Sequence, residues 1–247
     1  MGENKGLTAY ELKVIAVVAM TIDHLAWAFV PAYTPAGQLL HALGRLTAPI
    51  MCYFLAEGYV HTRNVKKYMV RLGCFAVISE PAFNYYMTGF RRFESMGMIY
   101  TLFLALIALR VYDSGLIGRY RALLIVVLIA ASLLGDWPCV GVIWPLVFYI
   151  YRDYPQMQFK MFSFLTIIFV VLLNVSSAIS TPQHPYISMC QFGLLLAPSL
   201  LKRYNGRLGR DGQSAKRGGK WFFYIYYPAH LVIIRLALEA VNAIKTA

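Results

Sequence analysis

The residues best suited to chemistry in this sequence are two ionisable neighbours inside a long apolar segment, Asp23 and His24. Charged groups within a spanning helix are costly unless they are paired or hydrated, so each one is a functional hypothesis. Adjacent residues on a helix do not face each other, so Asp23 need not contact the His24 ring and could bind a partner on another helix. A carboxylate in a low dielectric would still favour a nearby imidazolium and support a general base. The alternative is a structural pair that joins two helices.

The second apolar segment carries Arg45, Glu57 and His61. An arginine is costly in lipid, so we expect Arg45 to face a carboxylate, and Asp23 on the antiparallel first helix is the candidate at its depth. Glu57 and His61 are four residues apart and share one helix face near the membrane boundary. These side chains could line one path, although an Arg45–Asp23 pair could equally do no more than fasten two helices.

Other histidines supply further candidates for proton transfer. His230 lies near mid-depth in the last apolar segment, where a lone histidine is more often an interhelical hydrogen-bond donor. A second mid-membrane histidine, His24, raises the case for a catalytic role. His41 and His184 fall in predicted outer turns, and we assign them little weight.

Two other carboxylates are ambiguous. Glu80 precedes Pro81, an arrangement found at helix kinks and at sites alike, because proline frees a backbone carbonyl. Asp136 falls in a predicted outer turn, where a loop role is expected. The four cysteines lie singly in apolar segments, and no Cys/His cluster has metal-ligand spacing, so we predict packing roles and no bound metal.

The elements that must position these residues are transmembrane helices. Of 247 residues, 59% are hydrophobic and 14% are charged, with a mean hydropathy of +0.57, which is too little polar surface for a water-soluble globule. Apolar stretches of roughly 20 residues predict one all-α membrane domain over residues 1–247, a bundle of about nine helices. The predicted spans are 13–30, 39–59, 68–88, 98–112, 120–135, 138–151, 159–178, 187–201 and 221–244.

Loop charges predict the orientation of these spans, because Lys and Arg concentrate in alternate loops. The basic loops are those at 63–71, 110–121, 152–160 and 202–220. The opposing turns, which contain neither residue, are those at 31–38, 135–138 and 176–188. Arg91 and Arg92 are the exceptions. By the positive-inside rule the N-terminus is cytoplasmic. The net charge of +12 is therefore a topology signal before it is a sign of nucleic acid, and no nucleic-acid partner is expected. The longest loop, 202–220, could be an anchor and linker or could bind an anionic ligand.

Several short sequence patterns follow one another along the chain in an informative order. They are Ala16-x-x-x-Met20-x-x-Asp23-His24, Gly44-Arg45-x-x-x-Pro49, Glu57-Gly58-x-x-His61-Thr62 with Tyr68 and Arg71-Leu72, Asp136 with Gly141-Val142, Tyr204-Asn205-Gly206-Arg207 with Gly209, and Tyr227-Pro228-x-His230-Leu231. In order and spacing they resemble the TraX family, integral membrane proteins associated with N-acetylation of conjugative pilin. The chain departs from the family at Gly97, where an Asn is usual, which suggests an acceptor other than conjugative pilin.

The resemblance implies a multi-pass acyltransferase of the bacterial cytoplasmic membrane with acetyl-CoA as donor. The acceptor would be an amine or hydroxyl of a pilin-like protein N-terminus or an envelope glycan. His24 would be central, as general base or as transient carrier of the acetyl group, with Asp23 and Arg45 orienting it and Glu57 and His230 supporting it. The donor phosphates would contact four residues in and beside the first basic loop, His61, Arg63, Lys66 and Arg71.

Two functions from other classes compete with this interpretation. A proton-coupled transporter would use Asp23, His24, Glu57 and Glu80 as a relay, but the chain has no internal repeat of the kind many transporters contain. A non-catalytic membrane protein for pilus or envelope assembly would use the polar residues only as contacts between helices.

Overall fold

Helices make up most of the residues that the computed structural model describes, 6–209 and 220–246. They are α1 (Ala9–Phe29), α2 (Pro35–Gly44), α3 (Thr47–His61), α4 (Val65–Thr88), α5 (Met98–Tyr112), α6 (Gly118–Ala131), α7 (Val140–Ile150), α8 (Pro155–Ser180), α9 (Ala197–Leu201) and α10 (Lys220–Thr246). Two 3₁₀ segments cover Ser132–Leu134 and Met189–Leu196. Between residues 6 and 209 and from 220 to 246, extended pairing is limited to two isolated bridges, Leu7 with Tyr204 and Met96 with Gly135. The all-α prediction is confirmed. Residues 210–219 of the predicted long loop lie outside the described residues.

Four helical stretches in the described chain are long and apolar enough to cross a membrane. They are Ala9–Phe29, Pro35–His61, Pro155–Ser180 and Phe222–Thr246. The helices α5, α6 and α7 have 15, 14 and 11 residues, below the roughly 20 that a perpendicular span requires. The chain is a multi-pass membrane protein by this criterion, whereas the count of about nine spans and the cytoplasmic N-terminus stay predictions.

The predicted spans all fall on helical segments, but three of them are not continuous α-helices. The span at 120–135 passes from α6 into the 3₁₀ segment Ser132–Leu134. The span at 39–59 is divided into α2 and α3 at Arg45 and Leu46. Pro49 explains this break, because it has no N–H to donate to the Arg45 carbonyl and its ring would collide with that carbonyl in a continuous helix. The span at 187–201 is mostly the 3₁₀ segment Met189–Leu196, followed by the five-residue α9.

The chain divides into two compact units. The first contains residues 1–51 and 163–247, and the second contains residues 52–162. In the first unit α1 packs against α2 and α10, and α2 packs against the 3₁₀ segment Met189–Leu196. A β-carbon on Gly193 would lie 2.1 Å from the carbonyl oxygen of Ala42, so this close packing requires glycine. The prediction of one membrane domain is not tested by this division and stays a prediction.

The second unit is built around α5, which packs against α4, α6 and α7. Its buried core includes Trp144, Phe148 and Phe162, whose rings contact one another at centroid distances of 5.1 to 5.3 Å. Helix α5 is buried along most of its length, which explains how a 15-residue helix without a polar face is stable inside this unit.

The segment before α1 is bound to the segment after α9. The N–H of Leu7 donates to the Arg203 carbonyl at 2.6 Å, and the N–H of Asn205 donates to the Leu7 carbonyl at 2.9 Å. The N–H of Ala9, which has no partner within α1 because it lies at the start of the helix, donates to the Arg207 carbonyl at 2.9 Å. Residues 6–10 and 203–208 therefore lie on the same side of the membrane.

Candidate functional site

Asp23 lies at the centre of a polar cluster between α1 and α2. Nη2 of Arg45 donates to both carboxylate oxygens, at 2.8 Å to Oδ1 and 2.7 Å to Oδ2. Nδ1 of His41 donates to Oδ1 at 2.9 Å. The predicted Arg45–Asp23 ion pair is present, and Asp23 does bind partners on another helix. A largely buried carboxylate with these three contacts is well compensated for leaving water.

The α2 face opposite Asp23 is formed by His41, Gly44 and Arg45, which are separated by three and four residues and so lie on one side of the helix. A β-carbon on Gly44 would lie 2.3 Å from Cβ of Asp23 and 2.5 Å from its Oδ1. Only glycine allows α2 this close to the carboxylate. Nε of Arg45 donates to the His41 carbonyl at 3.2 Å, which fixes the guanidinium over Asp23.

The expectation that His41 lies in an outer turn is wrong. Helix α2 begins at Pro35 behind the N-cap Thr34, so His41 is already in its second turn. The side chain is 1% exposed, and its ring packs against Trp27 at a centroid distance of 4.5 Å. The signal that could have found it is its position four residues before Arg45 on the same helix face. His184 does lie in a loop, where its ring stacks on Tyr33.

The second polar feature of this unit is a pair of histidines from α1 and α10. Nδ1 of His24 lies 2.8 Å from Nε2 of His230, and Nδ1 of His230 lies 2.9 Å from the Tyr226 carbonyl oxygen. A carbonyl can only accept, so Nδ1 of His230 carries the proton. In a neutral His230, Nε2 then accepts from Nδ1 of His24. A neutral His24 in this arrangement has its lone pair on Nε2, as a general base or nucleophile requires.

Tyr226 also holds α10 against α1 through its hydroxyl. The Thr21 hydroxyl donates to the Val17 carbonyl at 2.8 Å, so the Tyr226 hydroxyl, 2.7 Å from the Thr21 oxygen, is the donor in their contact. The Tyr226 ring stacks on His230 at 5.1 Å. The contact lies one turn before His24 on α1 and fixes the position of the histidine pair.

The predicted donor-binding residues belong to the second unit, where α3 ends and α4 begins. Nε2 of His61 lies 3.5 Å from Oε2 of Glu57, so these two residues share one helix face as predicted. Arg63 and Lys66 are exposed, and the Arg71 guanidinium lies 5.2 Å from the Tyr68 ring centroid. These positions leave the donor-binding role of the four basic residues as a prediction.

The two ambiguous carboxylates of the second unit have local partners. Oε1 of Glu80 accepts from the Gly97 N–H at 2.9 Å, which joins α4 to the start of α5. Asp136 accepts from the Trp137 N–H through Oδ1 at 3.0 Å, and its carbonyl accepts from the Thr101 hydroxyl at 2.6 Å. Asp136 lies in a loop, as predicted.

Sequence reasoning missed Asp113, which follows α5. Its two carboxylate oxygens accept from the hydroxyls of Tyr59 and Tyr149 at 3.1 and 3.0 Å. The Arg152 guanidinium lies 4.5 Å from the Tyr149 ring centroid. Sequence spacing could not predict this cluster, because its members come from two helices, α3 and α7, and from the turns that follow α5 and α7.

Within residues 6–209 and 220–246, no group of three or more His, Cys, Asp or Glu side chains is arranged to hold a metal ion. Among the described residues of the first unit, two polar groupings could take part in chemistry, the His24–His230 pair and the Asp23–His41–Arg45 cluster. Both are built on α1, one residue apart.

The sequence matches the TraX protein family over residues 9–237. The chain belongs to the TraX family. It is also 34% identical over 244 residues to the probable fimbrial assembly protein FimC, serogroup H1, of Dichelobacter nodosus, an alignment that covers 95% of this chain and 97% of that protein. No solved structure matches the chain. The family resemblance found in the sequence motifs is confirmed, and the geometry above is that of a TraX family member.

Proposed function

We propose that this TraX family chain is an acetyltransferase of the bacterial cytoplasmic membrane that crosses the bilayer about nine times with its N-terminus in the cytoplasm. It moves the acetyl group of acetyl-CoA to an amine or hydroxyl of a pilin-like protein or an envelope component. The observation that carries this proposal is the chain of contacts from the Tyr226 carbonyl through His230 to His24. It supports a neutral His24 with its lone pair on Nε2, inside a membrane-spanning helix.

The transfer can be written with His24 as general base. The acceptor nitrogen or oxygen attacks the thioester carbonyl, a new C–N or C–O bond forms, and the C–S bond breaks. The proton that leaves the acceptor goes to Nε2 of His24 and then to the departing sulfur, which leaves as the CoA thiol. In the alternative route Nε2 itself attacks the thioester carbonyl, the C–S bond breaks and CoA leaves as the thiolate. The acceptor then attacks the acetyl group carried on the imidazole, the bond to Nε2 breaks, and the acceptor proton goes to the CoA sulfur. His230 supports either route by fixing the ring orientation of His24, the role that a carboxylate has in a catalytic triad.

Asp23 supports the proposal through charge. Its carboxylate is adjacent to His24 in the chain and is held by Arg45 and His41, so a fixed negative group lies near any imidazolium formed during transfer. In the second unit, Arg63, Lys66, Arg71 and His61 are the proposed contacts for the donor phosphates. They are basic groups near the start of α4, where the helix dipole adds positive potential.

A second candidate is a non-catalytic role in fimbrial assembly. The observation in its favour is the fimbrial assembly protein of Dichelobacter nodosus, to which the chain is 34% identical over nearly its whole length. In that case the His24–His230 contact and the Arg45–Asp23 pair would serve only to hold helices together.

The experiment that separates the two candidates is donor binding followed by transfer. Purified wild-type protein in detergent is heated with increasing acetyl-CoA, and a saturable rise in the unfolding temperature is expected, because a ligand of the folded state stabilises it. CoA bearing no acetyl group and AMP are the controls. Labelled acetyl transfer to membrane protein and envelope glycan is then followed in cells with and without the protein. Neither stabilisation nor transfer is expected of a purely structural assembly protein.

A further inference from the structure

His41 has a second ring nitrogen that the cluster around Asp23 does not use. Its Nδ1 donates to Asp23, whereas its Nε2 is buried and has no hydrogen-bond partner among the described residues. A buried polar atom left unpaired destabilises the folded state, because it has lost its hydrogen bond to water. Such atoms are rare in folded proteins, and each one calls for an explanation.

Fastening α2 to α1 does not explain this nitrogen. The contact with Asp23 requires only the Nδ1–H, and the same carboxylate already receives two hydrogen bonds from Arg45. Because a carboxylate on Nδ1–H fixes the tautomer, the lone pair of a neutral His41 is on Nε2. Asp23 also stabilises the imidazolium that forms if this nitrogen takes up a proton, as the aspartate of a catalytic triad does for its histidine.

We propose that Nε2 of His41 accepts a hydrogen bond from the acceptor group that is acetylated, so that the site has two base nitrogens, one on His24 and one on His41. This inference rests on the proposed acetyl transfer and adds a residue to it. The chain places the two bases on either side of Asp23. His24 follows Asp23 on α1, and His41 binds Asp23 from α2.

Counting protons shows what a second base contributes. An ammonium acceptor has three N–H bonds and the amide product has one, so two protons leave. One ends on the CoA sulfur as the thiol, and the other is taken up by a base and released to solvent. A hydroxyl acceptor loses a single proton, which ends on the sulfur. His41 therefore matters most when the acceptor is an amine, whereas for a hydroxyl its Nε2 only positions the acceptor.

An exposed tryptophan packs against the His41 ring. Trp27 lies one turn after Asp23 on the same face of α1, packs against the imidazole at 4.5 Å and is 56% exposed. An acceptor group would have to displace neighbours such as this exposed indole to reach the buried Nε2.

His41→Asn is the variant that separates binding from fastening. An asparagine amide can donate to Asp23 from the position of Nδ1 but has no atom at the position of Nε2. We expect this variant to fold, to bind acetyl-CoA as the wild type does, and to lose acetyl transfer by about 100-fold or more. His41→Leu, which also removes the Asp23 contact, is the comparison that reports the cost of the contact itself. If His41→Asn transfers acetyl at near the wild-type rate, Nε2 has no role and the inference is overturned.

If the wild-type protein transfers no acetyl group, NMR of the His41 ring nitrogens tests the role of Nε2 without catalytic turnover. The chain has five histidines, so ¹⁵N-histidine labelling gives few ring-nitrogen resonances. The two resonances of the His41 ring are assigned by their absence from the spectrum of His41→Asn. We expect Nδ1 to be protonated and Nε2 unprotonated, and we expect propylamine at constant pH to shift the Nε2 resonance. Tetramethylammonium, which has charge but no N–H, should leave it unchanged. Absence of transfer with this amine-specific shift would reject the proposed function and retain the binding atom. A protonated Nε2, or no response to propylamine, would reject the inference about His41.

Discussion

Nδ1 of His24 and Nε2 of His230 lie 2.8 Å apart although 206 positions separate these residues in the sequence. The contact joins α1 to α10 inside the first unit. The imidazole next to Asp23 in the chain is thus oriented by a histidine on another helix, and Asp23 is bound by α2. Two adjacent residues of α1 therefore have separate partners, and substitutions can test each set of partners separately.

Removing one partner of the Arg45–Asp23 pair is expected to destabilise the protein strongly. Arg45→Gln leaves a largely buried carboxylate without its cation, and breaking a buried pair in this way costs about 3–5 kcal/mol. The double variant Asp23→Asn/Arg45→Gln should lose less stability than the sum of the losses in the two single variants, because no unpaired charge remains. Equilibrium unfolding in mixed detergent measures the free energy of unfolding of the wild type, the two single variants and the double variant.

A matched pair within the same unit serves as the control for this cycle. Arg235 and Glu239 are in contact at 2.8 Å on α10, but Glu239 is half exposed. Exposed pairs spaced by four residues contribute about 0.3–0.5 kcal/mol, so Arg235→Gln should change stability little. Equal destabilisation by Arg45→Gln and Arg235→Gln would show that the Asp23 cluster is well hydrated and not a buried ion pair.

Gly44→Ala is expected to disturb the cluster without changing any charge. Its β-carbon would lie 2.3 Å from Cβ of Asp23, so α2 must move away or Asp23 must leave His41 and Arg45. We expect a lower unfolding temperature and reduced acetyl transfer. Gly115→Ala is the control, because a β-carbon there meets nothing within 4 Å. A Gly44→Ala variant as stable and active as Gly115→Ala would mean that α2 can shift at no cost.

Charge and depth were sufficient to predict one part of this cluster and insufficient for the rest. The Arg45–Asp23 pair follows from the cost of an unpaired arginine in lipid, which leaves few possible partners. His41 was missed because the polar turn before it suggests a loop, whereas Thr34 and Pro35 start a helix there. The break at Arg45 depends on Pro49, whose missing N–H affects a residue four positions earlier.

The helical segments themselves were predicted closely, because long apolar stretches bounded by charges are strong signals. The span at 98–112 coincides with α5, Met98–Tyr112. Periodicity could not separate a short buried helix from a membrane crossing, since both are apolar on all faces. The contact between His24 and His230 could not be predicted from the sequence either, because neither segment indicates which helices pack together.

The topology prediction can be tested with reporter fusions. A reporter after residue 65 or 210 should be cytoplasmic, and one after residue 36 or 182 should be external. The structure links the external pair, because the Gln38 amide donates to the Ile187 carbonyl at 2.9 Å and Tyr33 stacks on His184. Residues 36 and 182 must therefore report the same side. A cytoplasmic signal at 182 together with an external one at 36 would contradict both the span count and this contact.

The donor site is tested by removing charge from the start of α4. Replacing Arg63, Lys66 and Arg71 together with Gln should weaken acetyl-CoA binding and reduce its dependence on salt, because these residues are proposed to attract phosphates. The control is Arg119, Arg121 and Arg152 replaced with Gln, an equal loss of charge in other basic loops. Binding is measured by titration calorimetry at two salt concentrations. Equal losses in the two triple variants would indicate general charge attraction, and no loss in either would direct attention to the loop at 202–220.

The sharpest prediction is that His24→Ala abolishes acetyl transfer and leaves a folded, inserted protein that still binds acetyl-CoA. Removing a general base typically costs about 100-fold to 10,000-fold in rate, whereas removing a hydrogen bond between helices costs about 1 kcal/mol of stability. These two outcomes are well separated. Transfer of labelled acetyl to membrane protein and envelope glycan is compared for wild type and variants at equal expression.

Two substitutions of His230 decide which of the paired histidines is the base. His230→Gln can place its amide oxygen near the position of Nε2 and accept from Nδ1 of His24, so the tautomer and orientation of His24 are retained. His230→Leu removes that acceptor. If His230 only positions His24, the Gln variant keeps most of the transfer and the Leu variant loses most of it. If His230 is itself the base, both variants are inactive while His24→Ala retains activity, and the assignment of His24 as the central residue is wrong.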